Sequence, residues 1–205
     1  MQRGHRDGAK TRVAIREAAL TLFSKHGYEA TTLRAIASAV DIQVGSLYNH
    51  ISGKEELLTD IMMSVLDTLE SQVYGVIDTV ANDRAIDRLV AALSAHIRHH
   101  AQHAKEISIG QSELRSLPPA SRRAVNARHD AYEAFFKKLI VEAAEERGIE
   151  LLNLKLQTYA ILALGMHTAT WYRPRGELSL DEVVEISTEL CLRQLGMTEQ
   201  GRSRG

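Results

Sequence analysis

Apolar residues recur at helical spacing along nearly the whole chain, and no strand-like alternation interrupts them. Ile15, Ala18, Ala19, Leu22 and Phe23 share one face of a segment running from Thr11 to His26. Gly27 is placed to end that helix, as a glycine just past a helix commonly does. Leu33, Ile36, Ala37 and Val40 then fall at i, i+3, i+4 and i+7 and make a second apolar face about two turns long. Asp41 and Ile42 break the repeat. Beyond them Val44, Leu47 and Ile51 can point inward, while Gln43, Ser46 and His50 form a facing row of hydrogen-bonding side chains. A short helix pair with an outward polar row is the plan of a helix-turn-helix DNA reader.

Ser52 and Glu55 have the spacing of a capping box, which predicts a new helix. Leu58, Ile61, Met62, Val65, Leu69, Val73, Val76 and Val80 carry it to about Ala81. From Asp83 to about Arg147 the pattern stays helical. Leu89, Leu93, His96, His100 and His103 share one stripe with His99 beside it, an apolar face that turns histidine-rich. It fits a polar pocket wall, a metal site, or buried histidines satisfied by neighbours; histidines four apart can share a metal, but no acidic or cysteine ligand at suitable spacing supports one. A short helix over Glu106 to Ser116 precedes Pro118-Pro119, which punctuate the chain before Arg122, Arg123, Arg128 and the cluster Tyr132, Phe135 and Phe136. Asn153 to Tyr172 and Ser179 to Leu195 form a final pair. Ala160, Ala163, Gly165 and Ala169 thin the first of them for close approach, and Ser179 with Glu182 caps the second. The last helix is apolar over so wide an arc that a second copy of the chain is expected against it. The fold expected is all-α, with about nine helices.

Charge divides the chain. Residues 1–54 carry eight Lys or Arg against four Asp or Glu, and the remainder is net acidic, so only the front of the chain suits a polyanion. Residues 1–10 lack a period and read as a mobile basic arm, and residues 198–205 as a disordered tail. No apolar run approaches the roughly 20 residues of a membrane span. The basic N-terminus leads into a patterned helix instead of an apolar signal core, so a cytoplasmic protein is expected. Cys191 is the only cysteine, which excludes an internal disulfide. There is no glycine-rich phosphate loop, nucleophile elbow or strand framework, so neither catalytic residues nor a cofactor is expected.

Thr32, Arg34, Gly45-Ser46-Leu47-Tyr48, His50 and Lys54-Glu55, at these spacings, resemble the TetR family of transcriptional repressors. The resemblance covers about residues 10–60. It implies that Thr32 and Arg34 reach DNA phosphate, that Gln43, Val44, Gly45 and Ser46 approach base edges in the major groove, and that Tyr48, His50 and Lys54 grip phosphates. Asp41 stands where the family often has glycine, and Ile51 where it usually has an aromatic residue. The resemblance further implies a DNA-binding domain over 1–54, an effector-binding and dimerisation domain over 55–197 joined to it by the long helix from Ser52, and a homodimer formed through the last two helices on a palindromic operator.

Trp171 to Ser179, with Glu113-Leu114-Arg115, are similar to members that sense acyl-CoA thioesters in fatty-acid or steroid breakdown. On that reading His96, His100, Gln111, Arg115, Tyr132, Phe136, Tyr159, Met166 and Trp171 are the candidate ligand contacts, with arginine for the CoA phosphates. The alternatives are a repressor answering a hydrophobic drug-like compound, a helical metal enzyme using the histidine stripe, and an architectural DNA protein without an effector.

Overall fold

The computed structural model describes residues 3–80 and 84–197. Among them the fold is all-α, with nine α-helices and no strand. The helices are α1 (Arg3–His26), α2 (Leu33–Ala39), α3 (Val44–Leu47), α4 (Lys54–Thr79), α5 (Ala85–Gln102), α6 (Ala104–Glu113), α7 (Pro119–Arg147), α8 (Leu154–Trp171) and α9 (Leu180–Gln194). A short 3-10 turn, Leu114–Ser116, follows α6. None of the described helices is long and apolar enough to cross a membrane. The tail read at 198–205 lies outside the described residues.

The chain packs as two units. One takes the described residues to Leu66 together with Lys105–Asn126; the other takes Asp67–Ala104 and the described residues from Ala127 onward. In the first, the face predicted on α1 (Ile15, Ala19, Phe23) meets Ile36 and Ala37 of α2, Leu47 of α3, and Leu57, Leu58 and Ile61 of α4 in one core. Ile109, Leu117 and Val125, from later in the sequence, join it. The second is built on Leu89 and Leu93 of α5, Tyr132, Phe136 and Ile140 of α7, Ile161 of α8 and Cys191 of α9. Burial pushes the Cys191 thiol up to about 12, so it is an inert core residue.

Two local expectations need correction. Helix α1 begins at Arg3, so its backbone is helical through residues 3–10, read above as an arm; only residues 1–2 of that segment lie outside the described residues. Extending a helix that tertiary packing has already nucleated adds a hydrogen bond per residue without a new nucleation penalty. At α4, Glu56 and not Glu55 reaches back, accepting from the Ser52 backbone N–H and hydroxyl, both at 2.6 Å. Helix α4 starts at Lys54, which makes Glu56 its third residue. The capping box of α9 forms as expected between Ser179 and Glu182. Pro119 opens α7, where its missing N–H breaks no hydrogen bond.

Candidate nucleic-acid interface and effector site

The α2–α3 pair is fixed by its caps. Thr32 caps α2 by accepting from the Ala35 N–H at 3.1 Å, while Thr31 turns inward and donates to the Gly27 carbonyl at 2.8 Å. At the other end the Asp41 N–H bonds the Ser38 carbonyl and the Ile42 N–H bonds the Ala37 carbonyl, a Schellman motif with Asp41 in its left-handed position at φ 54°. The same pair of bonds closes α7 at Gly148 and α9 at Gly196. Asp41 is therefore the single non-glycine residue among the described ones at positive φ, and aspartate bears that strain better than most residues. Ile42 drops into the core behind the turn, and α3 leaves from there.

Helix α3 is only four residues long, with tight turns continuing through Ile51, whose N–H bonds the Leu47 carbonyl. Leu47 and Ile51 are buried, and Ile51 fills the position where an aromatic was expected. Gln43, Gly45, Ser46 and Tyr48 are exposed, and Val44 and His50 half-buried, so the predicted polar row faces solvent as one surface. Arg34 is exposed on α2. Arg12 of α1 ties this surface down, donating to the His50 carbonyl at 3.1 Å and pairing with Glu56 and Asp60. These hydrogen bonds, those from Ser52 first, hold the Glu56 carboxyl below its usual range.

Lys54 is placed otherwise than the expected phosphate grip. Its Nζ lies 2.8 Å from the Tyr28 carbonyl and 3.3 Å from those of Glu29 and Thr31, and 4.2 Å from the centre of the Tyr28 ring. An ammonium has three donors, and three carbonyls occupy them. Lys54 thus fastens the start of α4 to the α1–α2 turn. Sequence spacing gave no sign of this, because the partners are backbone atoms.

Four of the candidate ligand contacts, His96, His100, Tyr132 and Phe136, come together in the second unit. The His96 ring lies 4.3 Å from His100, 5.8 Å from Tyr132 and 5.6 Å from Phe136, centre to centre. The Leu162 carbonyl, 3.1 Å from His96 Nε2, can only accept, so Nε2 carries the proton and Nδ1 receives the Tyr132 hydroxyl at 3.0 Å. Gly165 of α8 permits this approach, since a Cβ there would stand 2.3 Å from His96 Cδ2. His100 donates from Nδ1 to the His96 carbonyl at 2.9 Å.

His99, beside that stripe, is fully buried. Its Nδ1 donates to Gln72 Oε1 at 2.9 Å, and its Nε2 finds no hydrogen-bond partner among the described residues. Leaving a buried acceptor unpaired costs about 1–3 kcal/mol. Burial holds His96 well below the usual imidazole range, His99 down to about 3 and His100 to about 4, with neighbouring imidazoles reinforcing all three. The cluster is a neutral, hydrogen-bonding wall. No group of three or more metal-ligating side chains occurs among the described residues.

The other predicted ligand contacts are not gathered there. Gln111 and Arg115 are exposed residues of the first unit. Tyr159, Met166 and Trp171 of α8 are 45%, 38% and 47% exposed. Leu156 on α8, and Ile186 and Leu190 on α9, are exposed apolar residues as well. Arg128 is paired with Asp67 and Glu70, both at 2.7 Å.

Comparison with known proteins agrees with this geometry. Residues 15–61 match the bacterial regulatory proteins of the tetR family, and residues 82–195 match the tetracyclin repressor-like C-terminal domain. The chain is 29% identical over 189 residues to the HTH-type transcriptional repressor KstR2 of Mycobacterium tuberculosis, covering 90% of this chain and 92% of that protein. A tetR-family regulatory protein from Rhodococcus RHA1 superimposes with a TM-score of 0.85 at 27% identity, over 93% of this chain and 99% of that one. AibR, solved in complex with isovaleryl coenzyme A and operator DNA, gives a TM-score of 0.76 at 26% identity over 88% and 97%. With both halves of the chain matched and the helix-turn-helix surface built as the family requires, the protein belongs to the TetR family: it is a DNA-binding transcriptional regulator and not an enzyme.

Proposed function

We propose that the protein is a homodimeric repressor that is released from a palindromic operator by an acyl-CoA thioester. The observation that carries the effector is the likeness, over most of the chain, to AibR bound to isovaleryl coenzyme A and to the repressor KstR2. The apolar residues Leu89, Leu93, Phe136, Ile140 and Ile161, with the uncharged His96, His99, His100 and Tyr132 beside them, support it, because an acyl chain requires a largely apolar lining with a few placed polar groups. On the DNA side, Gln43, Val44, Gly45 and Ser46 read bases. Thr32, Arg34, Tyr48 and His50 contact phosphate, and Lys54 holds the reader in shape.

The exposed apolar residues of α8 and α9 form the dimer face in this reading, which moves Tyr159 and Met166 from the ligand to the partner subunit. Two readers would then meet half-sites about one DNA turn apart, roughly 34–36 Å. The effector acts by binding the state with mismatched reader spacing more tightly than the operator-bound state. Titrating an operator complex with a panel of acyl-CoAs tests the reading. Release at micromolar concentration by at least one of them is expected, and release by none would refute it.

A further inference from the structure

We propose that His99 is the specificity contact of the effector site and takes an uncharged hydroxyl carried on an otherwise apolar part of the ligand. The inference rests on the second unit being the effector-binding body. Of the imidazoles along α5, His96 uses both nitrogens within the protein, and His100 uses Nδ1 on a carbonyl. His99 alone among the described residues buries a side-chain polar atom, Nε2, that no other described residue satisfies.

The surroundings of that atom select its partner. The His99 ring lies 5.5 Å from His100 and 4.4 Å from His103, with Gln72 bonded to its other nitrogen. No carboxylate, lysine or arginine is among these described neighbours, so an uncharged ligand group suits the site better than an ammonium or a carboxylate. Burial also keeps the imidazole neutral at physiological pH. With Nδ1–H donating to Gln72, the free Nε2 is an acceptor and calls for a donor. A hydroxyl both donates and accepts, so the match survives reversal of the Gln72 amide. The ring path from His99 through His100 to His96 and Phe136 is otherwise aromatic, which suits the hydrocarbon on either side of such a hydroxyl. The CoA phosphates, being anionic, belong elsewhere than at this neutral wall.

The test uses the full-length protein with matched pairs of acyl-CoAs, each saturated chain against its 3-hydroxyacyl counterpart, read by operator release and by thermal shift. The wild type is expected to favour the hydroxylated member of at least one pair by about tenfold or more, as one buried neutral hydrogen bond allows. His99→Leu is expected to bind operator as the wild type does, to lose that preference, and to melt at or above the wild-type temperature because an unpaired polar atom has been removed. A preference that survives in His99→Leu, pairs that bind the wild type without discrimination, or a variant melting well below wild type would each overturn the assignment. If no acyl-CoA binds the wild type, the proposed effector class falls and this inference with it. Binding without discrimination overturns the inference alone.

Discussion

Replacing Gly165 by alanine tests the architecture of the second unit. In an ordinary exposed helix this change is stabilising by about 1 kcal/mol, because glycine is a poor helix former. Here the new Cβ would lie 2.3 Å from His96 Cδ2 and 2.6 Å from Nε2, about 1 Å short of an ordinary contact. His96 cannot step aside freely, since it is held by the Leu162 carbonyl on one nitrogen and the Tyr132 hydroxyl on the other. Overpacking costs about 1–3 kcal/mol and a lost buried hydrogen bond about as much again. After subtracting the helix gain, the expected loss is roughly 3 kcal/mol, or a fall in Tm of about 6–12 °C for a chain of this size. Gly75→Ala, at an exposed position of α4, is the control, because nothing lies within 4 Å of its Cβ. It should raise Tm by about 2–4 °C. Calorimetric melts of both variants decide the matter, and a Gly165→Ala protein melting with or above the wild type would refute the close α5–α8 approach.

Asp41→Ala should destabilise by about 1 kcal/mol while Asp41→Gly is neutral or stabilising, because only glycine occupies the left-handed position without strain; equal urea midpoints for the two would contradict the Schellman assignment. Lys54→Met should weaken operator binding with little change in the dependence of log K on log salt, whereas Arg34→Ala should reduce that slope by up to about 0.9. A slope loss of that size for Lys54→Met would restore the phosphate contact. His96, His99 and His100 have folded-state pKa values depressed below the ordinary 6.5, so their contribution to stability is complete above that pH. As pH falls from 6.5 toward 5 the unfolded chain takes up the protons first, and stability should drop by up to about 1.4 kcal/mol per pH unit for each histidine. Chemical unfolding across that window, above the range where carboxylates titrate, should show the decline, and a flat profile would place these imidazoles in water.

The helices and their inward faces were legible because a core-facing stripe leaves its period in the sequence. Ile15, Ala19 and Phe23, or Leu89 and Leu93, needed only that period. The turn at Asp41 was legible from backbone chemistry, as was the cap at Ser179. The period says which residues share a face but not what the face meets. Hence Tyr159, Met166 and Trp171 of α8 were grouped with His96, although the helix turns them outward. Contacts to backbone atoms leave no trace in residue type, so the three carbonyls around Lys54 were invisible. The unpaired nitrogen of His99 was equally so, because a buried histidine looks the same in sequence whether its partners are present or missing. Gly165 was recognised as a small residue for close approach, but its counterpart, His96, could be named only from coordinates.

The central claim is that the exposed row on α3 reads one defined DNA sequence as a symmetric pair. Footprinting the purified protein on fragments of its own genome tests this most directly. The account predicts protection of a near-palindromic site with half-sites about one helical turn apart, lost when Gln43 or Ser46 is replaced by alanine. Protection spread evenly over unrelated sequences, or a footprint unchanged in both variants, would contradict it.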